Sequence, residues 1–385
     1  MNLDPIPQVW VDDPHDVYRE LREKHPVYHV EERDLWVISR YDDIQMMLRS
    51  PERFSSASGV VPSGYAPDSP TIITTDPPSH TAIRKAVSRA FTPKRMAAIE
   101  PVIRRLAHDL VATLPAAGEI DAFSQFTALL PYQVMAELIG LEPETYAVLQ
   151  RCGDTIVYSS DVDPAAMDAA GRELMEFLTE SCARRRNDPG DDLMSVLLSS
   201  TPDDDALAED EVVALCFLLT LAGTETTTSG MGIALMILDE FAAERSSIVA
   251  DRSLMATAVD EMMRWDSPVQ GLSRVTTEPI ALHGKVIPEG ARVHMLFASA
   301  NRDAAAFEDP DCLDIKRTPN AHLGFGFGIH HCLGASLART ELRVGLDEFL
   351  TRFPDYYVRR DDVVRLHSDT NRGFAKLPIV LEGAR

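Results

Sequence analysis

Apolar residues recur at intervals of three and four over most of the chain, and strict alternation is confined to a few short runs. VYREL predicts a helix, VYHV and LWVIS read as a β-hairpin around EERD, and YDDIQMMLRS reads as a short helix stopped by Pro51. From Phe54 to Pro78 the chain turns to Ser, Gly and Pro, too long and irregular for a plain connection, and such loops in a compact chain usually carry function. Ser79 opens a helix through Phe91, and Pro93 starts another that reaches about Leu114. Amphipathic helices separated by turn signals follow: FSQFTALLPYQVMAELIG, the segment around MDAAGRELMEFLTESCARRR, and DDLMSVLLSS. The longest pattern runs from about Glu209 to Phe241, roughly 50 Å at the α-helical rise. SLMATAVDEMMRW then reads as helix, RVTTEPIALHGKVI and RVHMLFASAN as strands, residues 302–323 as irregular, and the segment after Cys332 as helix. No internal repeat and no Gly/Ser or charged linker interrupts this order. The fold expected is mainly α, one unit over residues 1–385 with a long central helix and a small β region.

Composition narrows the function classes. Hydrophobic residues at 45% and charged residues at 25% are ordinary for a globular chain with a large core. A formal charge of −23 argues against nucleic acid or an anionic membrane as main partner, since both would be repelled. Five scattered cysteines without a CxxC pair read as a reducing compartment. The first residues carry prolines and acids where a signal peptide needs a basic start and an apolar run, so the expected location is cytoplasmic. From Val212 to Leu238 the sole charge is Glu225, yet the polar centre GTETTTS and acidic flanks favour a buried core helix over a membrane span.

The candidate chemistry gathers around LGFGFGIHHCLGASLARTEL. Leu333, Leu337, Leu342, Leu346, Phe349, Leu350 and Phe353 lie at helical spacing, which puts Cys332 at the first turn of an apolar-faced helix. A thiol there meets the positive end of the helix dipole and unpaired N–H groups, which favour thiolate. Gly326 and Gly328 permit a tight backbone that aims N–H groups at the sulfur, and Gly334 lets a flat ligand approach. A glycine-rich turn leading to a structural cysteine is the plain alternative. Zinc on His330, His331 and Cys332 is a poor one, because three consecutive residues converge badly on a tetrahedral ion.

FGFGIHHCLG, Phe325 to Gly334, resembles the FxxGxHxCxG signature of the cytochrome P450 family, the haem-thiolate monooxygenases. The resemblance implies haem b (iron protoporphyrin IX) with Cys332 as the metal ligand and Phe325, Gly326 and His330 in the loop that cradles it. AGTETT, Ala222 to Thr227, resembles the family's AGx(D/E)T segment, which gives Thr226 the role of a proton-passing alcohol and Glu225 that of its acid. From the residues alone Glu225 reads equally as a paired structural acid, and mid-helix threonines as a bend or local break. In EMMR, Glu261 and Arg264 face each other on a helix, and the family pattern joins them to Arg317 as support for the cysteine loop. DPPSHTAIR resembles the family segment over the haem edge, so that His80, Arg84, Arg274 and His330 are the expected partners of two haem propionates.

What the resemblance implies is a soluble monooxygenase that inserts one oxygen atom from O2 into a lipophilic small molecule, with electrons from a ferredoxin and its ferredoxin reductase. A peroxide-driven peroxygenase and a non-enzymatic haem sensor are the alternatives, and the acid–alcohol pair Glu225–Thr226 speaks against both. The expected pocket lining is the Phe54–Pro78 loop, Val157 to Asp163, Leu219, Ala222, Val269 to Leu272 and Ser368 to Asn371. The expected docking cations are Lys85, Arg89, Arg339 and Arg343.

Overall fold

The computed structural model describes residues 3–6, 13–64, 71–157, 164–199 and 207–382. The chain divides into two compact units, one built from Met1–His80, Leu254–Ala335 and Arg365–Gly373, the other from Thr81–Ser253, Ser336–Val364 and Phe374–Arg385.

The first unit is organised by a five-stranded sheet. Val27–Val30 and Leu35–Ile38 form the expected hairpin, turned by Glu31–Arg33 and by Asp34 at φ 47°. Leu35–Ile38 then pairs in parallel with Arg292–Met295, which pairs antiparallel with Leu272–Thr276, and Phe54–Ser55 closes the edge. Alternation explains why both faces are covered. Leu35 and Val37 pack with Val17, Tyr18 and Leu21 of the helix His15–Lys24, whereas Ile38, Val293 and Met295 pack with Ile44, Met47 and Phe54. In RVHMLFASAN the expected strand stops at Met295, because Phe297–Ala300 turns into a short buried helix.

The second unit is helical around the segment Glu209–Glu240, which is continuous through all of its polar centre. The break expected at the threonines is not there: Thr220, Thr224 and Thr226 each donate a hydroxyl to the carbonyl four residues back without interrupting the helix. This helix packs on Leu129–Ile139 and Pro164–Asn187. It is the one described helix long and apolar enough to cross a membrane, and half of its apolar window is buried inside the protein. Local signals fix the neighbouring ends. Thr92 and Asp192 accept from Arg95 and Ser195 N–H as N-caps, and Gly140 at φ 94° ends its helix.

The helix Ala335–Arg352 meets the long helix closely. A Cβ on Gly345 would stand 2.7 Å from the terminal methyl of Met231, so the two helices meet closely there. One turn further along, Phe349 packs on Tyr356 with ring centroids 5.5 Å apart, and the Tyr356 hydroxyl donates to the Leu235 carbonyl at 2.8 Å. Residues 345 and 349 therefore advance alongside residues 231 and 235, and the two helices run in the same direction where they touch.

Candidate functional site

The loop before the cysteine is set by two glycines with positive φ, Gly326 at 67° and Gly328 at 73°. A Cβ on Gly328 would collide with the Leu48 carbonyl oxygen, so the loop lies directly against the end of the helix Tyr41–Leu48. Gly326 N–H donates to Leu323, His331 N–H to Gly328, and Cys332 N–H to the Phe325 carbonyl at 2.9 Å. The last bond closes the loop from Phe325 to Cys332. Cys332 is exposed and in no disulfide, as is Cys312, whereas Cys152, Cys182 and Cys216 are buried. Cys332 stands three residues ahead of the helix rather than in its first turn, because Leu333 and Gly334 form a turn and the helix begins at Ala335.

His330 is fixed by a polar cluster that the sequence reading did not single out. Its Nε2 lies 3.3 Å from the Ser56 hydroxyl, and its ring is 4.3 Å from that of buried His80. Ser56 in turn donates to Asp76 through its N–H at 2.9 Å and its hydroxyl at 2.8 Å, and Ser55 adds a further short bond. Burial raises the Asp76 pKa, but these three bonds and nearby His330 outweigh it and hold the carboxyl below its ordinary value. Arg274 is felt by the same carboxylate. Its guanidinium is 4% exposed, donates to the Ser273 carbonyl at 2.8 Å, and forms no ion pair among the described residues. Burial drives its pKa down to about 10, against the opposing attraction of Asp76. Asp76 opens the DPPSH segment, from which only His80 and Arg84 were expected, and its link to Ser56, twenty positions earlier, has no periodic signature.

Of the residues expected around the cofactor, Phe325, Gly326, His330 and Cys332 thus share one loop, with the His80 ring against that of His330 and Arg274 within the electrostatic reach of Asp76. Arg84 stands one turn beyond His80 on the helix Ser79–Ser88, half-buried. Glu225 and Thr226 are partly exposed on the long helix, and the Thr226 hydroxyl donates to the Ala222 carbonyl at 2.8 Å.

The expected support trio is present. Arg264 grips Glu261 through two bonds of 2.7 and 2.8 Å with both side chains fully buried, and Arg317 Nε adds contacts of 3.1 and 3.2 Å. Arg264 also donates to the carbonyls of Asn301 and Pro310, and Asn301 accepts from Leu323 N–H at 2.6 Å. The trio therefore fastens the stretch that delivers the loop.

Three of the expected lining segments come together: Ser273 N–H donates to Val60, Gln270 N–H donates to Thr370, and Val269 bridges Asn371. Residues 65–70 and 158–163 of that expectation lie outside the described residues.

The sequence model of the family described as Cytochrome P450 matches residues 244–378. Cytochrome P450 107B1 of Saccharopolyspora erythraea is 37% identical over 390 residues, covering 95% of each chain. Vitamin D(3) 25-hydroxylase of Pseudonocardia autotrophica is 35% identical over 380 residues, covering 96% of this chain and 94% of its own. Among solved structures, CYP109E1 from Bacillus megaterium in complex with corticosterone superposes with a TM-score of 0.89 at 32% identity, over 97% of this chain and 99% of that one.

Proposed function

From the premise that this chain belongs to the cytochrome P450 family and is a haem-thiolate monooxygenase, we propose that it oxidises a lipophilic small molecule of steroid-like size at haem b held by Cys332. The observation that carries the assignment is the cluster beside the cysteine loop. A buried guanidinium without an ion pair is costly, and Arg274 together with His80 and His330 makes a donor set that suits a group bearing two carboxylates. Arg84, one turn from His80, completes that set in our reading. Neither unit is continuous along the chain, which supports treating residues 1–385 as one domain.

Bound haem with a thiolate ligand supplies the oxygen-activating chemistry. The chain's own residues do the rest. Cys332 provides the thiolate, and the Cys332–Phe325 bond keeps the loop closed behind it. Phe325 and Gly326 shape the surface on which the ring would lie. Thr226 and Glu225 hold and pass protons. The Thr226 proton is engaged by Ala222 at rest, so its transfer requires that bond to open, with Glu225 as the adjacent acid that restores it. Bacterial members of the family generally take electrons from separate redox proteins, and we assign a ferredoxin and its reductase to that role in the cytoplasm. The steroid-like substrate class draws on the vitamin D and corticosterone relatives and on the apolar segments around Val60, Val269 and Leu272.

Cys332→Ser should abolish the red-shifted Soret band of the ferrous carbon monoxide complex, and Thr226→Ala should keep that band yet form less product per electron. Retention of the band without the thiol overturns the ligand assignment. Turnover driven by peroxide and indifferent to reductant overturns the monooxygenase route. Steroids and secosteroids that leave the haem spin state unchanged, while another compound class shifts it, overturn the substrate class alone.

A further inference from the structure

Gln270 is buried in the middle of residues 268–272, and each of its polar groups is engaged. Its N–H donates to the Thr370 carbonyl at 2.8 Å, and its own carbonyl accepts from Ala298 N–H at 3.0 Å. The side-chain Nε2 faces two acceptors, the Ser267 carbonyl at 2.6 Å and Asp266 Oδ1 at 3.5 Å. That orientation turns Oε1 toward Tyr18, whose hydroxyl donates to it at 2.9 Å. Tyr18 is fully buried on the helix His15–Lys24, and burial raises its pKa, so the hydroxyl stays protonated as a donor.

The same frame reaches the second lining segment. Asp266 accepts from Arg372 Nε at 3.0 Å on both carboxylate oxygens, and Arg372 N–H donates to the Pro268 carbonyl at 2.7 Å. Val269 and Asn371 bridge beside these bonds. A Cβ on Gly271 would stand 2.5 Å from the Met295 carbonyl oxygen, so residues 269–272 have no slack toward the strand Arg292–Met295. A buried polar network of this kind fixes one arrangement when all its members are satisfied, and losing one partner leaves another unmet. All of these residues lie in the first unit.

We propose that Tyr18 is a specificity-setting positioning residue: through the Gln270 amide it fixes where Val269 and Leu272 stand against a molecule bound for oxidation. This role rests on our reading of Val269 and Leu272 as pocket lining. Both are partly buried apolar residues packed on the cluster that holds Val293 and Met295, so displacing the backbone behind them moves an apolar wall. Tyr18 belongs to the other cluster, with Leu35 and Val37, and its effect on a ligand passes through Gln270.

Difference spectroscopy of the haem-loaded protein tests this with 4-phenylimidazole, an iron ligand bulky enough to press on the pocket wall, and with the smaller imidazole. Tyr18→Phe should weaken 4-phenylimidazole about two- to tenfold and leave imidazole and the carbon monoxide band unchanged. In a Gln270→Leu background the same substitution should have no further effect. Independently of any ligand, hydrogen exchange at residues 268–272 and 370–372 should quicken in Tyr18→Phe, with the hairpin at 27–38 unchanged. Equal weakening of both ligands, or a further loss in the Gln270→Leu background, overturns the route through Gln270. If Tyr18→Phe moves nothing while Val269→Ala or Leu272→Ala weakens 4-phenylimidazole, the pocket lining stands and the positioning role falls. If 4-phenylimidazole is indifferent to Val269→Ala and Leu272→Ala, the lining itself is wrong and the role of Tyr18 falls with it.

Discussion

At Arg274 the energetics run against the fold, which is why we propose a cofactor-binding role for the residue. Burial of a guanidinium that is 4% exposed, with only the Ser273 carbonyl accepting from it among the described residues, lowers its pKa to about 10, against an ordinary 12.5. That difference corresponds to roughly 3 kcal/mol of instability in the haem-free chain. Arg274→Met should therefore raise the unfolding free energy of haem-free protein by on the order of 1–3 kcal/mol while weakening haem retention. Denaturant titration with and without haem measures both, and a variant less stable in both states would make Arg274 a structural residue. His294 shows the opposite economy. Fully buried beside the Ser273 hydroxyl, it is pushed by burial from 6.5 to about 4. The unfolded chain binds this proton near pH 6.5 and the folded chain only near pH 4. Its contribution is thus complete above pH 6.5 and drains away as the pH falls through that window, by roughly 3 kcal/mol in all. His294→Asn should flatten that part of the stability curve, and superimposable acid limbs for the two proteins would show that another group governs it.

Among the elements, the helix Met255–Trp265 does more than fill space, because the fully buried Glu261 carboxylate collects two arginines and the Asn320 amide. Removing one member leaves the others charged and buried, so Glu261→Ala should cost about 3–5 kcal/mol. The loss should fall on the cysteine loop, because Arg264 and Asn301 hold the stretch that leads to it. Hydrogen exchange at residues 323–332 reads this directly, and unchanged exchange there would detach the trio from the loop. Elements of this kind were legible where a single period dominates. The long helix was expected to about Phe241 and ends at Glu240, and the hairpin lies where alternation put it. Legibility failed where tertiary packing overrides local pattern. FASA carries the composition of a strand end, yet Phe297 and Ala300 are buried by folding into a helix. The turn at Leu333–Gly334 delays the last long helix although its leucines already keep the period. The cysteine loop could be read from its glycines and spacing. The Asp76–Ser56–His330 link could not, because its bonds join positions 20 and 274 residues apart.

The molecule as a whole carries 60 acidic and 37 basic side chains, so the acidic ferredoxin we propose as electron carrier would approach against a net charge of −23. Productive encounter then needs a local reversal of sign, which we assign to Lys85, Arg89, Arg339 and Arg343. Attraction of that kind is screened over about 8–10 Å at ordinary ionic strength, so reduction by a ferredoxin should slow as salt rises. Replacing all four residues by Ala should slow reduction at low salt and flatten its salt dependence, with substrate binding and the carbon monoxide spectrum intact. Arg343 shows how such a cation can be restrained. Arg343 lies 2.6 Å from Glu100, a partly exposed acid that also approaches Arg104 at 3.9 Å. An exposed pair of this sort adds little to stability, but it cancels the field that Arg343 would present to a partner. Glu100→Ala removes one negative charge and releases that field. It should therefore accelerate reduction at low salt and steepen the salt dependence, the reverse of the quadruple variant, with little change in thermal stability. Stopped-flow reduction across a salt series compares the two directly. If Glu100→Ala and the quadruple variant both reduce at the parental rate in dilute buffer, the electron carrier docks on another face.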